Sequence, residues 1–185
     1  PDKISGEVTI KVGDLITTDH IIPAGARMKY RSNVPKYSEF LFEVVDNKFY
    51  ERAKKVKDAG LHNIIVAGLS YGQGSSREHA ALCPMYMGVK TVIAKSMERI
   101  HKANLINFGI LPLTFLDEND YKNIDQGDKL EILDTRKTLL GNGNKLKIIN
   151  KTKNKEFEAI FDLSERDKKI ILAGGTLNLI GQKEK

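Results

Sequence analysis

The sequence predicts an α/β fold with a mixed parallel and antiparallel sheet, on three observations. Short apolar runs at residues 64–67, 89–94 and 109–115 are separated by helical stretches, the alternation that parallel strand pairing requires. Beyond residue 116 the pattern changes to alternating strands with turn residues between them, which favours antiparallel pairing. The 185 residues, 41% of them hydrophobic, suit one globular domain spanning residues 1–185.

The elements follow in order. Residues 6–12 (Gly-Glu-Val-Thr-Ile-Lys-Val) alternate polar and apolar and read as a strand. Residues 17–33 read as a loop holding Pro23 and Gly25. Residues 38–57 read as a helix because Phe42, Val45, Phe49, Ala53 and Val56 recur at steps of three or four, and Gly60 stops it. Ile64-Ile65-Val66-Ala67 reads as a buried strand. It leads into Gly68, Gly72 and Gly74 and then Ser75-Ser76-Arg77-Glu78-His79-Ala80-Ala81-Leu82, a glycine turn feeding a helix N-terminus, with Pro84 interrupting or ending that helix. A strand over 89–94, a helix over 96–107 capped by Ser96 and a strand over 109–115 complete the first part. Strands over 129–133 and 146–149 are joined by the turn Gly141-Asn142-Gly143-Asn144, and Phe157, Ala159 and Phe161 alternate as a further strand. Ser164 caps a final helix ending at Gly174-Gly175, and residues 183–185 read as a frayed tail.

Composition narrows the function classes. The formal charge is +6, and residues 1–115 hold 16 basic against 11 acidic side chains. That local excess suits an anionic partner, either nucleic acid or a small molecule. Aromatic residues do not alternate with the basic ones as a single-strand nucleic-acid platform requires. No run of about 18 apolar residues is present to span a membrane. The start Pro1-Asp2-Lys3-Ile4 has no signal-peptide apolar core and no Met, so a processed product or a piece of a longer chain is expected. One cysteine, Cys83, makes no internal disulfide, holds no metal site alone and fits a reducing cytoplasm.

Two stretches carry candidate chemistry. In Tyr71-Gly72-Gln73-Gly74-Ser75-Ser76-Arg77-Glu78-His79 the glycines let the backbone approach a ligand, the serines add donors and Arg77 adds a fixed charge, together an anion site at a helix start. The plainer reading is a serine N-cap with a solvated arginine, and spacing alone does not choose. The stretch is neither a P-loop, lacking Gly-Lys-Ser/Thr, nor a nucleophile elbow, lacking Gly-x-Ser-x-Gly. The second stretch, Asp14-Leu15-Ile16-Thr17-Thr18-Asp19-His20-Ile21-Ile22-Pro23, gathers two carboxylates, two hydroxyls and a histidine. Asp19 and His20 are adjacent and need not form a dyad; Asp19 equally suits a turn or cap. Arg27, Lys29 and Arg31 alternate nearby, either as solvated charges or as a carboxylate-binding edge. His62 and His101 read as surface or structural residues, and Cys83 as a small buried hydrophobe.

These residues resemble a known family. Gly74-Ser75-Ser76-Arg77-Glu78-His79-Ala80-Ala81-Leu82 with Thr17-Thr18-Asp19-His20-Ile21 is similar to the C-terminal swivel domain of aconitase. The likeness continues through Lys95-Ser96, Arg99-Ile100-His101-Lys102-Ala103-Asn104-Leu105 and Asn107-Phe108-Gly109-Ile110-Leu111-Pro112-Leu113. It is nearest to the shorter bacterial type, through Arg31-Ser32-Asn33 and Ala173-Gly174-Gly175-Thr176-Leu177-Asn178. The resemblance implies a swivelling β/β/α layered domain that closes over an active site in citrate–isocitrate isomerisation through cis-aconitate. By the same likeness Ser75 is the base, Ser76, Arg77 and Arg31 bind substrate carboxylates, and Thr18, Asp19 and Gly74 support them. A 4Fe-4S iron–sulfur cluster and the acid that protonates the departing hydroxyl are expected in partner domains, with no metal on this chain, so the chain alone is expected to be inactive. Ile22 stands where many aconitases have a serine, and Ile21-Ile22-Pro23 also resembles isopropylmalate isomerase small subunits. The alternatives are therefore the small subunit of a two-chain isopropylmalate or homoaconitate isomerase and, from another class, an RNA-binding module. Tyr71-Gly72-Gln73, Ala81-Leu82 and Arg31 favour aconitase.

Overall fold

The run Ile64-Ile65-Val66-Ala67 is apolar at every position because both of its faces are buried. A computed structural model of the chain describes residues 2–184. In it Ile64 and Val66 enter one apolar core, while Ile65 and Ala67 enter another. The first core is the interior of a closed barrel; the second lies between the barrel and the helices outside it.

Among the described residues seven strands form the barrel: β1 (Ile4–Lys11), β2 (His62–Ala67), β3 (Val89–Ala94), β4 (Leu111–Phe115), β5 (Lys129–Ile132), β6 (Lys145–Asn150) and β7 (Lys155–Ile160). Their order is β1-β2-β3-β4-β7-β6-β5. The first four pair in parallel, and β4–β7, β7–β6, β6–β5 and β5–β1 pair antiparallel. The predicted mixed sheet is therefore present. Helices α3 (Phe49–Asp58), α4 (His79–Tyr86) and α5 (Arg99–Asn107) connect the parallel strands and pack on them, giving a helical layer over the parallel wall of the barrel. The remaining helices are α1 (Thr18–Ile21), α2 (Val34–Ser38), α6 (Thr135–Leu140), α7 (Glu165–Ala173) and α8 (Thr176–Lys183).

Several elements depart from the sequence expectation. The helix expected over 38–57 is two pieces, α2 and α3, joined by turns. Phe42 sits at φ +55° with its N–H donating to the Ile21 carbonyl at 2.8 Å, so a tertiary contact breaks the period, and Val45 faces solvent. The expected loop over 17–33 contains α1 and a 3₁₀ segment, Gly25–Tyr30. Ser96 caps no helix, because its hydroxyl and carbonyl accept from Ser70 and Tyr71 and α5 begins only at Arg99. Pro84 lies inside α4 without ending it. Helix α6 separates β5 from the 141–144 turn, and α8 follows Gly174-Gly175 where no further helix was expected. The expected tail begins within α8, whose last residue is Lys183; Lys185 lies outside the described residues.

Candidate active site

Three loops leave the C-terminal ends of β1, β2 and β3 side by side, the position where open α/β sheets take their ligands. They are stitched to one another. The Leu15 N–H donates to Leu69 O (2.8 Å), Gly72 N–H to Ile16 O (2.7 Å), Thr18 N–H to Gln73 O (2.8 Å), Tyr71 N–H to Ser96 O (3.1 Å) and Glu98 N–H to Tyr71 O (2.9 Å). Parallel bridges between Thr17 and Gln73 and between Tyr71 and Met97 carry the strand order past the strand ends. The Ser75 loop is thus held on both sides.

Glycine is required here for space as well as freedom. Gly72 has φ +90°, and a Cβ on it would fall 2.4 Å from the His101 ring. Gly74 has φ +95°, but a Cβ there would meet only Thr18 Oγ1 at 3.7 Å.

The two sequence stretches meet. Thr18 is buried and its hydroxyl donates to the Ser75 carbonyl at 2.9 Å. Arg77 pairs through Nη1 with Oδ1 of Asp19. That guanidinium holds the Asp19 carboxyl below the usual carboxylate range. His20 turns away, completing a capping box with Thr17: the Thr17 N–H donates to His20 Nδ1 at 2.9 Å, and the His20 N–H donates to Thr17 Oγ1 at 3.2 Å. Asp19 and His20 therefore form no dyad. Ser75 is exposed, and the group of it that is tied down is its carbonyl rather than its hydroxyl. Asn104 on α5 donates to the Ser76 hydroxyl at 3.2 Å.

Arg31 is exposed at the end of the 3₁₀ segment, with its carbonyl accepting from His79 Nε2 at 2.7 Å. The His79 ring lies tilted against Tyr37, 5.3 Å between centroids, and the Tyr37 hydroxyl donates to the Pro23 carbonyl. The backbone of Arg31 is thereby fixed beside the motif. Ile22 does not enter the site; it is fully buried in the core under α2–α4.

One expectation is corrected. Ser75 and Ser76 are not at a helix start: α4 begins at His79, Glu78 is its N-cap and no side chain caps it. The Ala80 N–H is already bonded to the Arg77 carbonyl at 3.1 Å. Positive potential at Ser75 therefore comes from Arg77 more than from the helix end.

A cavity of about 300 Å³ lies beside the loop, bordered by Thr18, Gly72, Gly74, Ser76, Arg99 and His101. His101 is fully buried, edge-on to Tyr71 at 5.3 Å between centroids, and among the described residues neither ring nitrogen has a partner. Burial pushes its pKa down to about 4, so the ring is neutral near pH 7. Sequence reasoning missed His101, His79 and Asn104 as site residues. All three stood in the quoted motifs, but only the stitched loops reveal what they touch.

An iron–sulfur cluster does not fit these residues. Cys83 is buried on α4 and burial pushes its thiol up to about 11, which opposes the thiolate a metal needs. Among the described residues no group of three or more His, Cys, Asp or Glu side chains could hold a metal ion.

Fold and site together define an α/β barrel domain that presents an arginine-bearing, serine-rich loop at the C-terminal ends of its parallel strands. The model of the aconitase C-terminal domain matches residues 13–119, and the chain belongs to that family. It is 34% identical to the putative mitochondrial aconitate hydratase of Aspergillus fumigatus over 98% of its own length and 25% of that protein. It is 32% identical to the mitochondrial homocitrate dehydratase of Saccharomyces cerevisiae over 97% of its length and 26% of that protein. The chain spans about a quarter of the length of these curated relatives. A crystal structure of 3-isopropylmalate dehydratase from Methanocaldococcus jannaschii superposes with a TM-score of 0.79 at 31% identity, covering 98% of this chain and 95% of that one.

Proposed function

We propose that this chain is the swivel domain of an aconitase and supplies the base and two carboxylate-binding arginines for citrate–isocitrate isomerisation through cis-aconitate. The observation that carries the reading is the Arg77–Asp19 pair. It engages one guanidinium nitrogen and holds the arginine beside Ser75, leaving further donors for a substrate carboxylate. Ser75 removes the proton from the carbon next to a substrate carboxylate, and the C–H electron pair becomes the new double bond. The C–O bond on the adjacent carbon breaks, its hydroxyl leaving as water with a proton from an acid on the companion domains. A serine hydroxyl is a poor acid, so its alkoxide needs positive charge close by in a site closed to water. Arg77 supplies the charge, and closure against companion domains supplies the dry site. Ser76 and Arg31 take further oxygens of the tricarboxylate, while Thr18, Asp19 and Gly74 fix the loop.

The companion domains, on the same polypeptide or a separate subunit, carry the 4Fe-4S cluster in this reading. This chain alone is inactive. Its lone cysteine suits a reducing compartment, the cytoplasm in this proposal.

A second reading has its own support. The 3-isopropylmalate dehydratase chain is matched over nearly its full length, and Ile22 is a core residue rather than a polar substrate contact. Under it the chain is the small subunit of a two-chain isomerase. The deciding experiment combines the chain with a cluster-bearing companion and assays citrate, homoaconitate and isopropylmalate. Activity on citrate supports the first reading; activity on isopropylmalate or homoaconitate but not citrate overturns it.

A further inference from the structure

The opposite end of the barrel holds a second cavity, of about 230 Å³, walled by Ile4, Leu111, Leu139 and Ile171 and bordered by Lys90 and Arg136. Ile4 opens β1, Leu111 opens β4 and Lys90 is the second residue of β3. The cavity therefore sits at the N-terminal ends of the parallel strands, whereas the Ser75 loop lies beyond their C-terminal ends.

Its cations are uncommitted. Among the described residues no carboxylate is within ion-pair distance of Lys90 or Arg136. Lys90 is partly buried, and burial alone lowers its ammonium pKa, with no neighbouring charge raising it. A cation withdrawn from water without a partner is destabilising, and an arriving anion recovers that loss. Thr135, also at the cavity, already donates to the Ile132 carbonyl at 3.1 Å, so the cations are its available charged donors.

We propose that this cavity is a second binding site, for a small monocarboxylate with a short apolar chain, its carboxylate between Lys90 and Arg136 and its chain against Ile4, Leu111, Leu139 and Ile171. The apolar walls reward an alkyl chain over a bare anion. The volume lies below the roughly 300–1,000 Å³ of drug-sized sites, so the occupant is small. Arg136 also borders a shallow hollow shared with Asp2 and Asp134. Those carboxylates disfavour a second negative charge and separate this ligand class from the tricarboxylate proposed for the Ser75 loop.

The test is a methyl NMR titration of the 185-residue chain with hexanoate, hexanamide and inorganic phosphate. Hexanoate is expected to shift the methyls of Ile4, Leu111, Leu139 and Ile171 saturably below about 20 mM, with hexanamide and phosphate at least about tenfold weaker. Lys90→Met is expected to abolish the hexanoate shifts and, in the absence of ligand, to raise the melting temperature, because it removes a desolvated charge and keeps the packing. Equal binding of hexanamide, equal effects of phosphate at these methyls, no saturation, or a Lys90→Met variant that titrates like the parent each overturns the proposal. The hexanamide comparison uses the parent chain, so it decides even if the variant does not fold.

Discussion

The Thr18 hydroxyl donates to the carbonyl of Ser75 at 2.9 Å, joining positions 57 residues apart. Thr18 is buried, and its own N–H is spent on the Gln73 carbonyl, so both polar ends of this residue hold the 73–75 backbone. Through this contact the loop after β1 sets the position of the proposed base on the loop after β2.

Thr18→Val keeps the shape and removes the donor. Stability should fall by about 1 kcal/mol, the net worth of one part-buried hydrogen bond. Turnover of the assembled enzyme should fall ~10–100-fold with a smaller change in KM, because a displaced reacting group is costly. Urea denaturation and steady-state kinetics measure the two separately; intact turnover would remove Thr18 as a positioning residue.

The two loop glycines should respond differently. Gly72→Ala drives a Cβ into the His101 ring in a backbone region unfavourable to side chains, and should cost ~3 kcal/mol. Gly74→Ala meets no such contact and should cost ~1 kcal/mol from its φ alone. Equal losses in urea midpoint would contradict the packing account of Gly72.

His101 makes stability depend on pH. Its folded pKa of about 4 lies below the ordinary histidine value of 6.5, so the unfolded chain binds the proton more tightly. Stability is full above about pH 6.5 and declines as pH falls towards 4, by up to ~3 kcal/mol from this group. His101→Phe keeps a ring against Tyr71 and should flatten that decline. A parent and variant with parallel stability curves over this range would refute the assignment.

Arg77→Lys keeps the charge but loses the planar fork, and should raise KM for the tricarboxylate ~10–100-fold in the assembled enzyme. Asp19→Asn should cost little stability, under about 1 kcal/mol, since the Asp19 side chain is 62% exposed. The depressed pKa of Asp19 gives stability that is present above the ordinary carboxylate value and lost as pH falls through its folded value. A KM for Arg77→Lys equal to that of the parent would place Arg77 outside the carboxylate site.

Much of the fold is legible in the sequence where periodicity is decisive. Apolar runs such as Ile64–Ala67 read correctly because burial on both faces leaves no position for a polar residue. The 38–57 region misleads because Phe42 is bent out of the helical period by a bond to Ile21, a contact no local pattern contains. In the candidate site the motif residues are visible, but their meeting is not. Arg77 next to Asp19, and Asn104 next to Ser76, arise only when β1, β2 and β3 align their ends. Ser75 was expected at a helix start because glycine followed by serine is a frequent capping pattern, yet α4 starts at His79, two residues beyond Arg77.

Ser75→Ala in the enzyme assembled from this chain and a cluster-bearing companion removes the proposed base and leaves the carboxylate-binding groups in place. With citrate as substrate, the account predicts a turnover loss of ~10³-fold or more while substrate affinity stays within a few-fold. Turnover equal to that of the parent, in a variant that folds and assembles, would contradict Ser75 as the base.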